Sequence, residues 1–127
     1  MPDTSSKLQT SSRPSLKEVT SIEQFQLIDL RVGTVIEAKL NPKARKPAFA
    51  ILVDLGVFGI KKTSAQLTEN YKEEDLIGKK VIVVANFPSK RIAGVKSEVL
   101  ILGALDNTTG THLLGTDTIV ENGTTIA

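Results

Sequence analysis

Lys90, Arg91 and Lys96 fall within seven residues, flanked by Asn86 and Ser97, and make the densest combination of cations and hydrogen-bonding groups in the chain. Ammonium and guanidinium groups are natural partners of phosphate oxygens, the first as a point charge and the second as a planar fork. Arg45, Lys46, Lys61 and Lys62 form a second such set. Residues 39–62 carry six basic groups against Asp54 alone, and residues 79–98 carry five against Glu98 alone. The other segments are acidic, which returns the chain to 16 Lys and Arg against 14 Asp and Glu, a net charge of +2. Position carries the signal that the total hides. The seven cations named are candidates for one surface facing a polyanion; the alternative is a pair of ordinary solvated loops.

Other chemistry is excluded by residue type. Cys and Trp are absent and His112 is the single histidine, so thiol nucleophiles, disulfides and Cys/His zinc sites have no residues to build them. His112 lies in Thr111-His-Leu-Leu114, outside any strand-turn-helix elbow that could present a nucleophile to it. Glu73, Glu74 and Asp75 are consecutive and cannot share a helical face. Neither GxGxxG nor GxxxxGK[ST] occurs. The reading is a binding protein rather than an enzyme, with no cofactor and no metal. Aromatic residues are Phe25, Phe49, Phe58, Phe87 and Tyr71 only, and Phe49 falls on the apolar side of its strand. So thin a stacking platform favours phosphate contact and recognition of RNA shape over base stacking.

The elements that would position these cations follow from hydrophobic alternation. A chain of 127 residues with 40% apolar side chains closes one core. Ser21-Ile-Glu-Gln24 fits a capping box that starts a short helix, the Gln24 side chain returning toward Ser21. Leu30 to Leu40 alternates as a long half-buried strand, with Leu30, Val32, Thr34, Ile36, Ala38 and Leu40 on one side and Gly33 marking a bulge or bend. Further alternation and β-branched runs predict strands near 29–40, 48–55, 58–64, 80–86 and 97–104, the third with both lysines facing solvent. A helix over Lys72–Ile77, closed by Gly78, separates the third strand from the fourth. That order predicts an all-β fold, a five-stranded OB-fold Greek-key barrel with short helices and a C-terminal extension of short strands. In such a barrel the two basic blocks flank the usual oligonucleotide face.

The first 21 residues hold nine Ser or Thr and few apolar groups, so burial cannot offset the entropy of ordering them. Residues 1–20 are expected to be a disordered Ser/Thr-rich extension, and residues 21–127 the folded domain. No stretch approaches the roughly 18 to 20 apolar residues of a spanning helix, and no apolar signal core is present. A cytoplasmic protein without membrane contact is expected.

Several strings are specific enough to name a likeness: DLRVG (29–33), NPKARKPA (41–48), VDLG (53–56), TSAQLTENY (63–71), VANFPSKRIAG (84–94) and SEVLILG (97–103). Over residues 22–127 the chain resembles the tRNA-binding OB domain attached to methionyl- and phenylalanyl-tRNA synthetases, and most closely its free-standing version, the CsaA proteins. The resemblance implies a homodimer in which residues after Gly103 take part, and RNA binding of the tRNA type. Arg31 and Gly33 match the first-strand motif, Asn86 the asparagine ending strand four, and Ser97 the serine opening strand five. Asn86 and Ser97 could meet RNA edges and 2′-hydroxyls, or could serve only the local backbone. Synthetase-type domains follow that serine with Gly-Met, where this chain has Val99-Leu100, as in the CsaA subgroup. The CsaA likeness also implies the competing reading, a chaperone holding unfolded or exported polypeptide, for which Phe87, Ile92 and Val95 are the candidate apolar contacts.

Overall fold

The computed structural model describes residues 14–127; the first 13 residues of the expected N-terminal extension lie outside it. Residues 14–20 are exposed and belong to no helix or strand. Helix α1 (Ile22–Phe25) starts where the capping box places it: the Ser21 hydroxyl accepts the Gln24 N–H at 3.1 Å. The Gln24 side chain pairs with the Thr20 hydroxyl instead of returning to Ser21.

Five segments build the barrel: β1 (Leu30–Leu40), β2 (Phe49–Asp54), β3 (Ile60–Ala65), β4 (Lys80–Val84) and, after a hairpin of β5 (Lys90–Ile92) and β6 (Val95–Ser97), β7 (Leu100–Ile101). Their order in the sheet is β3-β2-β1-β4-β7, all antiparallel. Helix α2 (Glu73–Leu76) lies between β3 and β4, its end marked by Gly78 at a φ of 87°. The result is the nearly closed, all-β OB barrel that the alternation predicts.

The alternation itself is more complicated than a single face. Leu30 and Val32 point out of the barrel, while Val35 and Ala38 point in, because the register against β2 shifts between Val35 and Glu37. Ile36, expected on the buried side, sits at this bulge and is 41% exposed. The outward Leu30 and Val32 are nonetheless buried, in a second cluster with Ile82 and Val84 that Leu102, Val120 and Ile126 cover. Strand β4 is therefore apolar on both faces, the usual reason for a continuous β-branched run. The bulge is at Ile36, and the register through Gly33 is regular. At Gly33 a Cβ would stand 2.5 Å from Val53 Cγ1 and 2.7 Å from Leu55 Cδ2, so glycine is there because the barrel interior leaves no room.

The fifth predicted strand is broken rather than continuous. β6 and β7 are followed by β8 (Gly103–Asp106), which turns back as β9 (Gly110–Leu113) to make a separate hairpin. The last strand, β10 (Thr125–Ile126), pairs with Leu30 and Arg31, covering the part of the β1 edge that β2 does not reach.

Candidate nucleic-acid interface

β3 and the β6–β7 segment close the barrel largely through side chains. Glu98 N–H donates to Lys62 O at 2.7 Å, and Lys62 N–H donates to the Glu98 carboxylate at 2.9 Å. Thr63, 1% exposed, donates its hydroxyl to Val99 O at 2.6 Å and lies 3.0 Å from Ser97 Oγ, which also accepts the Ser64 N–H at 3.3 Å. Ser97 thus fills a gap in the ladder where a regular strand would supply carbonyls.

This closure fixes the β5–β6 hairpin beside the β1–β2 loop. Ala93 and Gly94 form its two-residue turn with φ values of 47° and 85°, the left-handed pair that a type I′ turn needs. Asn41 Nδ2 donates to Ala93 O at 3.0 Å, and a Cβ on Gly94 would lie 3.4 Å from Lys43 Cδ. Lys43, Arg45 and Lys46 line an open depression of about 490 Å³ together with Ser64, Gln66 and Ile92. Across the hairpin, Arg91 pairs with Lys96 and Lys90 with Ser97. Arg91 also donates to Gly94 O at 2.9 Å.

Other candidates lie elsewhere. Lys62 is exposed, but Lys61 pairs with the inward Val53 and is half-buried on the opposite side of β3. Successive strand residues face opposite ways, so the expectation that both lysines face solvent is corrected. Asn86 has both ends of its amide engaged, donating to Leu27 O at 2.8 Å and accepting from Asp29 N–H at 3.0 Å. It lines a separate groove of about 480 Å³ with Ile22, Phe25, Leu27 and Ile126. Arg31 is likewise occupied: it pairs with Asp29 at 2.7 Å, donates to Gly123 O and Thr125 Oγ1, and lies 4.7 Å from the Phe58 ring centroid. Phe49 and Tyr71 pack in or against the core, while Phe87 and Ile92 are 45% and 40% exposed and Val95 is half-buried. Lys43 belongs to the depression although the charge pattern singles out only its neighbours; its place in the Asn41–Ala48 loop was the available signal.

An OB barrel whose flanking loops converge beside the outer face of β2 and β3 has the architecture of an oligonucleotide- or oligosaccharide-binding module. Residues 30–125 match the family described as "Putative tRNA binding domain". The chain is 42% identical over 100 residues to a methionine-tRNA ligase of Protochlamydia amoebophila, covering 79% of this chain and 14% of the ligase. With the ligase of Methanocaldococcus jannaschii it shares 40% identity over 115 residues, 86% of this chain and 16% of that enzyme. The chain thus spans about one-seventh of the length of these ligases. Among solved structures, the chaperone CsaA of Bacillus anthracis superposes with a TM-score of 0.83 at 44% identity, covering 87% of this chain and all of that one. The CsaA chaperone protein of Picrophilus torridus gives 0.81, also at 44% identity, over 86% of this chain and 100% of its own. The chain belongs to the tRNA-binding-domain family, as a member of the CsaA type.

Proposed function

We propose that the protein binds tRNA, without catalysing a reaction on it, through the cationic rim formed by the β1–β2 loop and the β5–β6 hairpin. The observation that carries this reading is the junction at Asn41–Ala93 and Lys43–Gly94, which joins two basic segments lying some fifty residues apart in sequence. Arg45, Lys46, Lys90, Arg91 and Lys96 are the phosphate contacts, Lys90 from one face of the hairpin and Arg91 and Lys96 from the other; Lys43 joins them, and Lys62 adds an exposed cation on β3. With no exposed aromatic on the outer face of β2 and β3 among the described residues, recognition rests on backbone shape rather than stacking. The protein acts in the cytoplasm as a homodimer, paired through the apolar groove of α1 and β10, where Ile22, Phe25 and Leu27 are exposed beside Ile126. Light scattering at micromolar concentration should give twice the chain mass, and a monomer mass would contradict the pairing.

A second reading, capture of extended polypeptide, is favoured by the chaperone designation of both CsaA structures and by exposed Phe87 and Ile92. One pair of variants separates the two. On the tRNA reading, Lys90→Ala with Arg91→Ala weakens tRNA binding by about 1–3 kcal/mol while Ile92→Ser changes it less. On the polypeptide reading, Ile92→Ser abolishes suppression of client aggregation and the charge variant does not. Unchanged tRNA affinity in the folded charge variant would remove the hairpin from the site.

A further inference from the structure

The cationic depression continues past the barrel rim. It shares Lys46, Ser64 and Gln66 with a larger groove of about 670 Å³ that runs along the end of β3 to the β8–β9 hairpin. That size lies within the roughly 300–1,000 Å³ of small-molecule pockets. Leu100 and Leu105, both exposed, are among its apolar lining residues. Among the described residues, Lys46 is the one cation in its lining and Glu69 the one carboxylate, the latter held against Gly110, where a Cβ would lie 2.5 Å from Glu69 Oε1. The wall is fixed: Asn70 Nδ2 donates to Thr109 O and Thr111 O at 2.9 Å each, and Leu113 N–H donates to the Tyr71 hydroxyl at 3.0 Å.

We propose that this groove takes one unpaired nucleotide of the bound RNA, its phosphate on Lys46, its base over Leu100 and Leu105, and its amino edge toward Glu69. The inference rests on the tRNA-binding reading and goes beyond it, because the rim needs only backbone phosphates whereas the groove needs a break in the duplex. Charge complementarity selects the occupant. One cation, exposed leucines and one carboxylate acceptor lining a single groove match a phosphate, a base face and an exocyclic amino group carried in one unit. An extended polypeptide would need side chains of opposite sign at a fixed spacing to do the same. Gln66, an exposed residue of the same lining, offers both a donor and an acceptor to the base edge.

The test uses the full chain and RNA hairpins of one stem, ending blunt or in a short single-stranded tail of cytidines or of uridines, read by fluorescence anisotropy. Cytosine donates from its N4 amino group and uracil has no amino group. The wild type should bind the cytidine-tailed stem about tenfold tighter than the blunt one, with the uridine tail between them. Glu69→Ala should erase the preference for cytidine over uridine, and Leu105→Ser should reduce the gain from either tail, both leaving affinity for the blunt stem unchanged. Equal wild-type affinity for tailed and blunt stems would overturn the inference while leaving tRNA binding at the rim intact. A tail effect that survives both variants would place the base elsewhere and overturn it too, as would an unfolded polypeptide that fills the groove without disturbing the tail. Failure of the wild type to bind tRNA itself in the same assay would instead remove the tRNA reading, and this one with it.

Discussion

Gly33 marks the limit of what the barrel interior can hold. An added methyl would meet Val53 Cγ1 at 2.5 Å, Leu55 Cδ2 at 2.7 Å and Asp54 O at 3.2 Å, and the last is backbone that cannot rotate away. Gly33→Ala should therefore destabilise the fold by about 1–3 kcal/mol despite its gain in strand propensity, read as a lower urea midpoint at unchanged slope. At the β8–β9 turn, Asp106 accepts the backbone N–H groups of Thr109 and Thr108 at 2.9 and 2.8 Å, which together hold its carboxyl below the ordinary carboxylate range, with a smaller contribution from His112. A carboxyl whose pKa is depressed on folding stabilises the fold above its unfolded-state pKa, and that contribution fades as pH falls through the folded value. Asp106→Asn should accordingly melt below the wild type at neutral pH, and the difference should narrow under acid, as measured by thermal denaturation across that range.

At the scale of elements, the seam between β3 and β6–β7 decides both stability and site. Ser97 replaces a missing strand carbonyl for the Ser64 N–H and faces the buried Thr63 hydroxyl. Ser97→Ala leaves that N–H without its partner, so a loss of about 1–2 kcal/mol is expected in chemical denaturation. The five barrel segments were legible because alternation and β-branched runs report burial directly. The seam was not, because Ser97 and Glu98 act on residues thirty-odd positions away that only closure brings near. The bulge at Ile36 was hidden for a related reason. Leu30 and Val32 read as the same face as Ala38 until Leu102, Val120 and Ile126, far along the chain, cover their side of the sheet. Lys61 and Lys62 show the converse case, in which strict alternation, applied to neighbouring residues, already separates the two lysines.

For the molecule as a whole, a net charge of +2 conceals two basic segments that the β1–β2 loop and the β5–β6 hairpin bring side by side. Charge counting along the sequence located both segments, but their meeting depends on the Ala93-Gly94 turn and on the Asn41 amide, neither of which carries charge. The amide of Asn86 illustrates the limit: its match to a family motif fixed its position, while the structure supplies two backbone partners that tie β4 to the chain before β1. If the rim neutralises about five phosphates, tRNA affinity measured from low to high monovalent salt should fall with a log–log slope of roughly −3 to −5. The Lys90→Ala, Arg91→Ala variant should give a shallower slope than the wild type under the same conditions. A salt-independent affinity, or one slope shared by both proteins, would contradict the claim that this rim is where tRNA binds.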